Sequence, residues 1–147
     1  MSQNTASGVM AGKRGLIMGV ANDRSIGWGI ASKLAEQGAE LAFTFQGEAL
    51  QKRVGPLAAS VGSDLVIPCD VTDEASVDAV FDRLAKEWGK LDFVLHAIAY
   101  SDKEELKGGY VDTSRGNFQR TMDISVYSFT EITRKAAAMM NDGGSLL

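Results

Sequence analysis

A single cysteine, a single histidine and no surplus of basic side chains remove the raw material for several kinds of function. Cys69 alone closes no internal disulfide and builds no metal cluster, so its expected role is that of a small buried apolar residue. Lys and Arg number 15 against 19 Asp and Glu, a net charge of -4, and they are scattered rather than striped. That leaves no basic field for nucleic acid, and a solvated surface accounts for them. Long apolar runs are missing too. Met1 to Gly15 holds no apolar core of signal-peptide length and no later run would cross a bilayer, so the expectation is a soluble cytoplasmic protein. His96 has no Ser/His/Asp spacing around it and no metal-ligating companions, which points to a hydrogen-bonded structural histidine. The Gly-x-Gly-x-x-Gly fingerprint is absent as well: read from Gly19, its later glycines would fall on Ala21 and Arg24.

What is present is a regular alternation. The 147 residues, 45% of them hydrophobic, suffice for one domain with a real core. Leu16–Val20, Leu41–Phe45, Leu65–Ile67 and Phe93–His96 are short apolar runs bounded by Gly, Asp or Lys, as buried strands are. Between them lie helical patterns. Val77, Val80, Phe81, Leu84 and Trp88 share one face, with Asp73 and Glu74 in the first turn and Gly89 as the stop. Ser25–Gln37 places Ile26, Ile30 and Leu34 on one stripe and ends at Gly38. Thr113–Met140 reads as one long helix striped by Phe118, Met122, Val126, Phe129, Ile132 and Met139, a length that also suits a subunit interface. "NDGGSLL" then reads as a helix stop at Asn141–Gly144 followed by the first residues of a further strand. Repeated βα units without hairpins imply an α/β fold, a Rossmann-type doubly wound parallel sheet with helices on both faces. Residues 1–147 form its N-terminal part, cut off at the fifth strand; residues 1–12 are small and polar and read as a loose tail. Ser101–Gly109 reads as an exposed loop.

In such a sheet ligands lie across the carboxyl ends of the strands, which makes each strand end a place to look. After the first strand, Gly19 and Ser25 bracket a loop that feeds a helix N-terminus, where free N–H groups suit an anion. Ser25 could cap the helix or donate to a phosphate oxygen, and an ordinary strand-to-helix loop would also explain it. Gln46 follows the second strand, where an acidic residue often reads a ribose; it adds no charge for a 2′-phosphate. That favours NADH over NADPH, with Arg24, Lys52 and Arg53 nearby in sequence. Asp70 and Val71 follow the third strand. They offer a carboxylate and an N–H to an adenine edge, or simply start the next helix. Ala97, Ile98 and Ala99 follow the fourth, small enough for a ribose to approach the backbone, or for a tight turn.

Taken together, "GVANDRSIGWGIA", "TFQGEAL", "CDVTDE", "HAIAYS" and "MDISVYSF" resemble the NADH-dependent enoyl-acyl-carrier-protein reductases of bacterial fatty-acid synthesis, a divergent branch of the short-chain dehydrogenase/reductases. The resemblance runs over nearly the whole chain and over the front half of the family. It implies cofactor contacts at Gly19, Ser25, Ile26, Gln46, Asp70, Val71 and Ile98, and places Ser101, where many members have alanine, at the acyl-substrate pocket. It implies NADH as cofactor, an enoyl-acyl-carrier-protein thioester as substrate and a homotetramer. A ketoacyl reductase of the same superfamily would show Thr-Gly-x-x-x-Gly-x-Gly and Asn-Ala-Gly, and neither is here. The family's active-site tyrosines and lysine are expected beyond the fifth strand, so no catalytic residue is expected among these 147. A dinucleotide-binding module standing alone is the other reading of such a chain.

Overall fold

The computed structural model describes residues 8–147, and the expected alternation is present in it as five strands and their crossovers. β1 (Arg14–Met18), α1 (Ile26–Glu36), β2 (Glu40–Phe45), α2 (Glu48–Ser60), β3 (Val66–Pro68), α3 (Glu74–Glu87) and β4 (Leu91–His96) follow in turn. A short 3-10 turn (Tyr110–Asp112), α4 (Arg115–Met122), a π-helical turn (Asp123–Tyr127) and α5 (Ser128–Ala137) then lead to β5 (Met140–Leu146). The strands pair in parallel in the order β3-β2-β1-β4-β5. The chain therefore winds outward from β1 in one direction, then returns to wind outward in the other. Its switch point lies between β1 and β4, whose exits diverge to opposite sides.

Both faces of the sheet are covered, which is why the strands read as continuous apolar runs rather than alternating ones. Leu16 and Met18 of β1 point into one core with Val77, Val80, Phe81 and Leu84 of α3 and with Ile132 and Ala136 of α5. Ile17, between them, points into the other, with Ala31 of α1 and Val54 and Ala58 of α2. The expected face of α3 is thus the observed one. Asp73 caps that helix by accepting from the Ala75 N–H at 3.1 Å, and Gly89 closes it with φ at +76°.

Four expectations are corrected. The stripe of Ile26, Ile30 and Leu34 is split: Ile26 is 81% exposed and Ile30 is also open to solvent, while Leu34 packs against the core and Gly27 and Ala31 are buried. Small residues win because α1 lies close on the sheet; a β-carbon at Gly27 would already stand 3.4 Å from that of Ala97. The single helix over 113–140 is broken into α4, a π turn and α5, and it ends at Ala137 rather than at Met140. "NDGG" lies inside β5 as a bulge, since Leu91 pairs with Met140 but Phe93 pairs with Ser145. Its turn chemistry is real, with Gly143 at φ +79°, but it bends a strand instead of stopping a helix. Finally, the N-terminal segment is tied down where it is described: the Met10 N–H donates to the Gln37 carbonyl at 3.0 Å, and the Met10 side chain packs on the α1/α2 core. The rest of the expected tail, residues 1–7, lies outside the described residues.

Candidate functional site

The four strand ends singled out in the sequence open onto one crevice of about 430 Å³, lined by Gly19, Gln46, Asp70, Val71 and Ile98 among others. Gly19 has a reason to be glycine that is independent of any ligand. Its φ is +98°, and a β-carbon there would collide with the Ala97 carbonyl, so the exits of β1 and β4 approach as closely as they do only without one. At the β3 exit, one oxygen of Asp70 accepts from the Thr72 hydroxyl at 2.6 Å and the Thr72 N–H at 2.9 Å. Those two bonds, with a smaller contribution from the Gln46 amide, hold the carboxyl below its ordinary range and keep it ionised at neutral pH. Cys69 beside it is buried, and burial next to Asp70 pushes its thiol up to about 11, so it stays a neutral wall residue. The backbone N–H groups of Val71 and Ile98 find no acceptor among the described residues. Both line the crevice, and both are free to meet a ligand.

The loop from Gly19 to Ser25 is organised by Ser25, which does not cap the helix as one of its two expected roles required. Its Oγ accepts from the Ala21 and Asn22 N–H groups at 2.9 and 3.0 Å, pulling the loop into a tight coil, and makes no cap bond to α1. The N–H groups of the first turn, starting at Ile26, are consequently uncapped, and no acidic residue lies in that turn. This is the arrangement that attracts an anion. The exposed side chain of Ile26 does not line the crevice; what Ile26 offers is its backbone N–H. The Ser25 hydroxyl, with its acceptor side occupied, still carries a proton to donate.

The far wall comes from the segment after β4 and from α4. Tyr100 and the π turn are joined in both directions: the Tyr100 N–H donates to Ser125 Oγ at 3.0 Å, and that hydroxyl faces the Tyr100 carbonyl at 3.2 Å. Ser101 is not among the crevice-lining residues. Its hydroxyl is held by Asn117 Nδ2 and Thr121 Oγ1, each at 3.1 Å, which fastens the loop to α4. His96 is structural, as expected. Its Nε2 lies 2.8 Å from Ser128 Oγ, whose own proton goes to the Ile124 carbonyl at 2.6 Å, so the ring is the donor. Burial holds His96 below its ordinary pKa and hence neutral. Sequence reasoning missed Arg120 and Ile124, both crevice residues on the segment read as a plain helix. Their spacing of four was a visible signal, but it marks a shared face only once the π turn and the sheet give that face a direction.

A family model described as Enoyl-(Acyl carrier protein) reductase matches residues 19–147. The enoyl-[acyl-carrier-protein] reductase [NADH] 2 of Rhizobium meliloti (strain 1021) is 67% identical over 141 residues, covering 96% of this chain and 53% of its own length. The crystal structure of FabI from Candidatus Liberibacter asiaticus is similar with a TM-score of 0.93 at 56% identity, over 95% of this chain and 54% of that one. The enoyl-acyl-carrier-protein reductase of Anaplasma phagocytophilum, solved in complex with NAD, gives 0.92 at 57% identity, over 97% and 55%. The chain spans about half the length of the relatives it matches.

Proposed function

The chain belongs to the enoyl-acyl-carrier-protein reductase family, and from that premise we propose that its crevice binds NADH and that it forms the cofactor-holding portion of a reductase acting on trans-2-enoyl thioesters of acyl carrier protein. The observation that carries this reading is the convergence of Gly19, Gln46, Asp70, Val71 and Ile98 on one crevice beside the uncapped N-terminus of α1. Each part has a task that its chemistry suits. The α1 N-terminus and the Ser25 hydroxyl receive the pyrophosphate. Asp70 accepts from the adenine amino group while the Val71 N–H donates to the neighbouring ring nitrogen. Gln46 bonds the adenosine ribose, and the Ile98 backbone lies along the path toward the nicotinamide. When bound, NADH supplies the hydride that adds to C3 of the enoyl thioester. Ser101 borders the acyl pocket in this reading, through the loop that it anchors to α4.

NADH is preferred over NADPH because, among the described residues, the crevice is lined at the β2 exit by Gln46 and no cation of β2 or α2. Arg24, Lys52 and Arg53, near in sequence, do not line the crevice, and Lys52 is paired with Glu48 at 2.9 Å. Among the described residues no helix is long and apolar enough to cross a membrane, and the proposed setting is the cytoplasm. Fluorescence titration of the chain with NADH and NADPH tests the reading. Saturable NADH binding, with NADPH at least about tenfold weaker, is the expected result. Absence of saturable NADH binding, or a preference for NADPH, would overturn it. Gln46→Arg should narrow the gap between the two cofactors.

A further inference from the structure

The crevice is lined by one carboxylate and one cation among the described residues, Asp70 and Arg120, and Arg120 has no role in the binding scheme so far. It sits on α4, four residues ahead of Ile124, so the two side chains rise from the same helical face toward the same crevice. No carboxylate of the described residues pairs with it. Its guanidinium instead lies over the ring of Tyr100, 4.9 Å from the centroid. Tyr100 is itself held in place by the paired backbone bonds to Ser125. A flat, always-charged group thereby lies over an aromatic ring in the same crevice that Asp70 and Val71 line.

We propose that Arg120 is a cofactor-binding residue: its guanidinium, braced on Tyr100, forms the outer wall of the adenine slot and stacks on the purine. The inference rests on the NADH reading above and extends it to a residue outside the strand ends. Stacking explains the pairing better than phosphate recognition does. A phosphate-reading arginine points its N–H edges at the anion, whereas Arg120 lies over the Tyr100 ring, and the anion-attracting element here is the α1 N-terminus. It also makes a specific demand, because lysine keeps the charge but not the plane.

Calorimetric titration of the chain with NADH, NADPH, adenosine and reduced nicotinamide mononucleotide provides the test, with Arg120→Ala and Arg120→Lys as variants. α4 exposes Arg120 to solvent, and thermal melts of both variants should match the parent. Both variants should weaken NADH and adenosine by about tenfold, and leave the mononucleotide, which has no adenine, unchanged. Unaltered adenosine affinity in Arg120→Ala would overturn the proposal while leaving the NADH reading intact. So would full recovery by Arg120→Lys, which would reduce the role to charge, or a loss confined to NADPH, which would make Arg120 a phosphate reader. Failure of the parent chain to bind NADH or adenosine at all would overturn both.

Discussion

Asp70 and His96 show how one residue's surroundings set its use. Asp70 is held further below its ordinary carboxylate range by two Thr72 donors, and in the proposed site that carboxylate accepts from the adenine amino group. Asp70→Ala should raise the NADH dissociation constant by about tenfold, the equivalent of one charge-assisted hydrogen bond. An unchanged titration would remove Asp70 from the site. For His96 the consequence is pH-dependent stability. Burial lowers its folded-state pKa below the ordinary 6.5, so in the interval between the two values the unfolded chain binds more protons. The contribution is therefore complete above about pH 6.5 and is lost as pH falls through the folded-state value. Denaturant midpoints compared at pH 7.5 and 5.5 should fall on acidification, and His96→Asn should flatten that part of the profile. Gly19 has the least freedom of all. Gly19→Ala should destabilise by more than about 3 kcal/mol, through a strained φ and a clash with Ala97 that relaxation cannot easily relieve.

At the scale of elements, α1 is the informative case. Its buried face is Gly27 and Ala31, and its isoleucines look outward. Ala31→Leu should cost about 1–3 kcal/mol by overpacking the space between helix and sheet, whereas Ile26→Ser should stay within about 0.5 kcal/mol. Thermal melts distinguish the two; the opposite ranking would restore the isoleucine face. The π turn between α4 and α5 is the second case. By inserting an extra residue per turn it lets Ile124 reach the crevice, Ser125 hold Tyr100 and Ser128 hold His96 from one short segment.

At the scale of the whole molecule, the described residues present an apolar face to solvent. Phe118, Met122, Val126 and Tyr127 are each about half exposed on α4 and the π turn, and they surround a shallow depression of about 440 Å³ with Gln119, Asp123 and Thr130. A contiguous apolar patch on a helix pair suits a two-fold contact between identical chains. Pairing through that face predicts a homo-oligomer in light scattering at micromolar concentration, for which the family resemblance implies a tetramer. Val126→Glu should shift it toward smaller species without lowering NADH affinity. A monomeric parent would defeat the proposal.

Much of this was legible in the chain itself. Short apolar runs separated by helical patterns specify a parallel sheet covered on both faces, because only burial on both faces favours strands without alternation. Once the strands are known, the residues that follow them are known too, which is how Gly19, Gln46, Asp70, Val71 and Ile98 could be named in advance and then found on one crevice. Direction and distance were not legible. Whether α1 presents isoleucine or glycine to the sheet depends on how near the helix lies. Whether "NDGG" stops a helix or bulges a strand depends on β4 standing beside it. Arg120 became visible only when α4 was seen to lean over the crevice. Hydrophobic period and turn chemistry are local and survive in one dimension; close approach, strand register and the facing of a helix are relations between distant segments, and only the packed chain decides them.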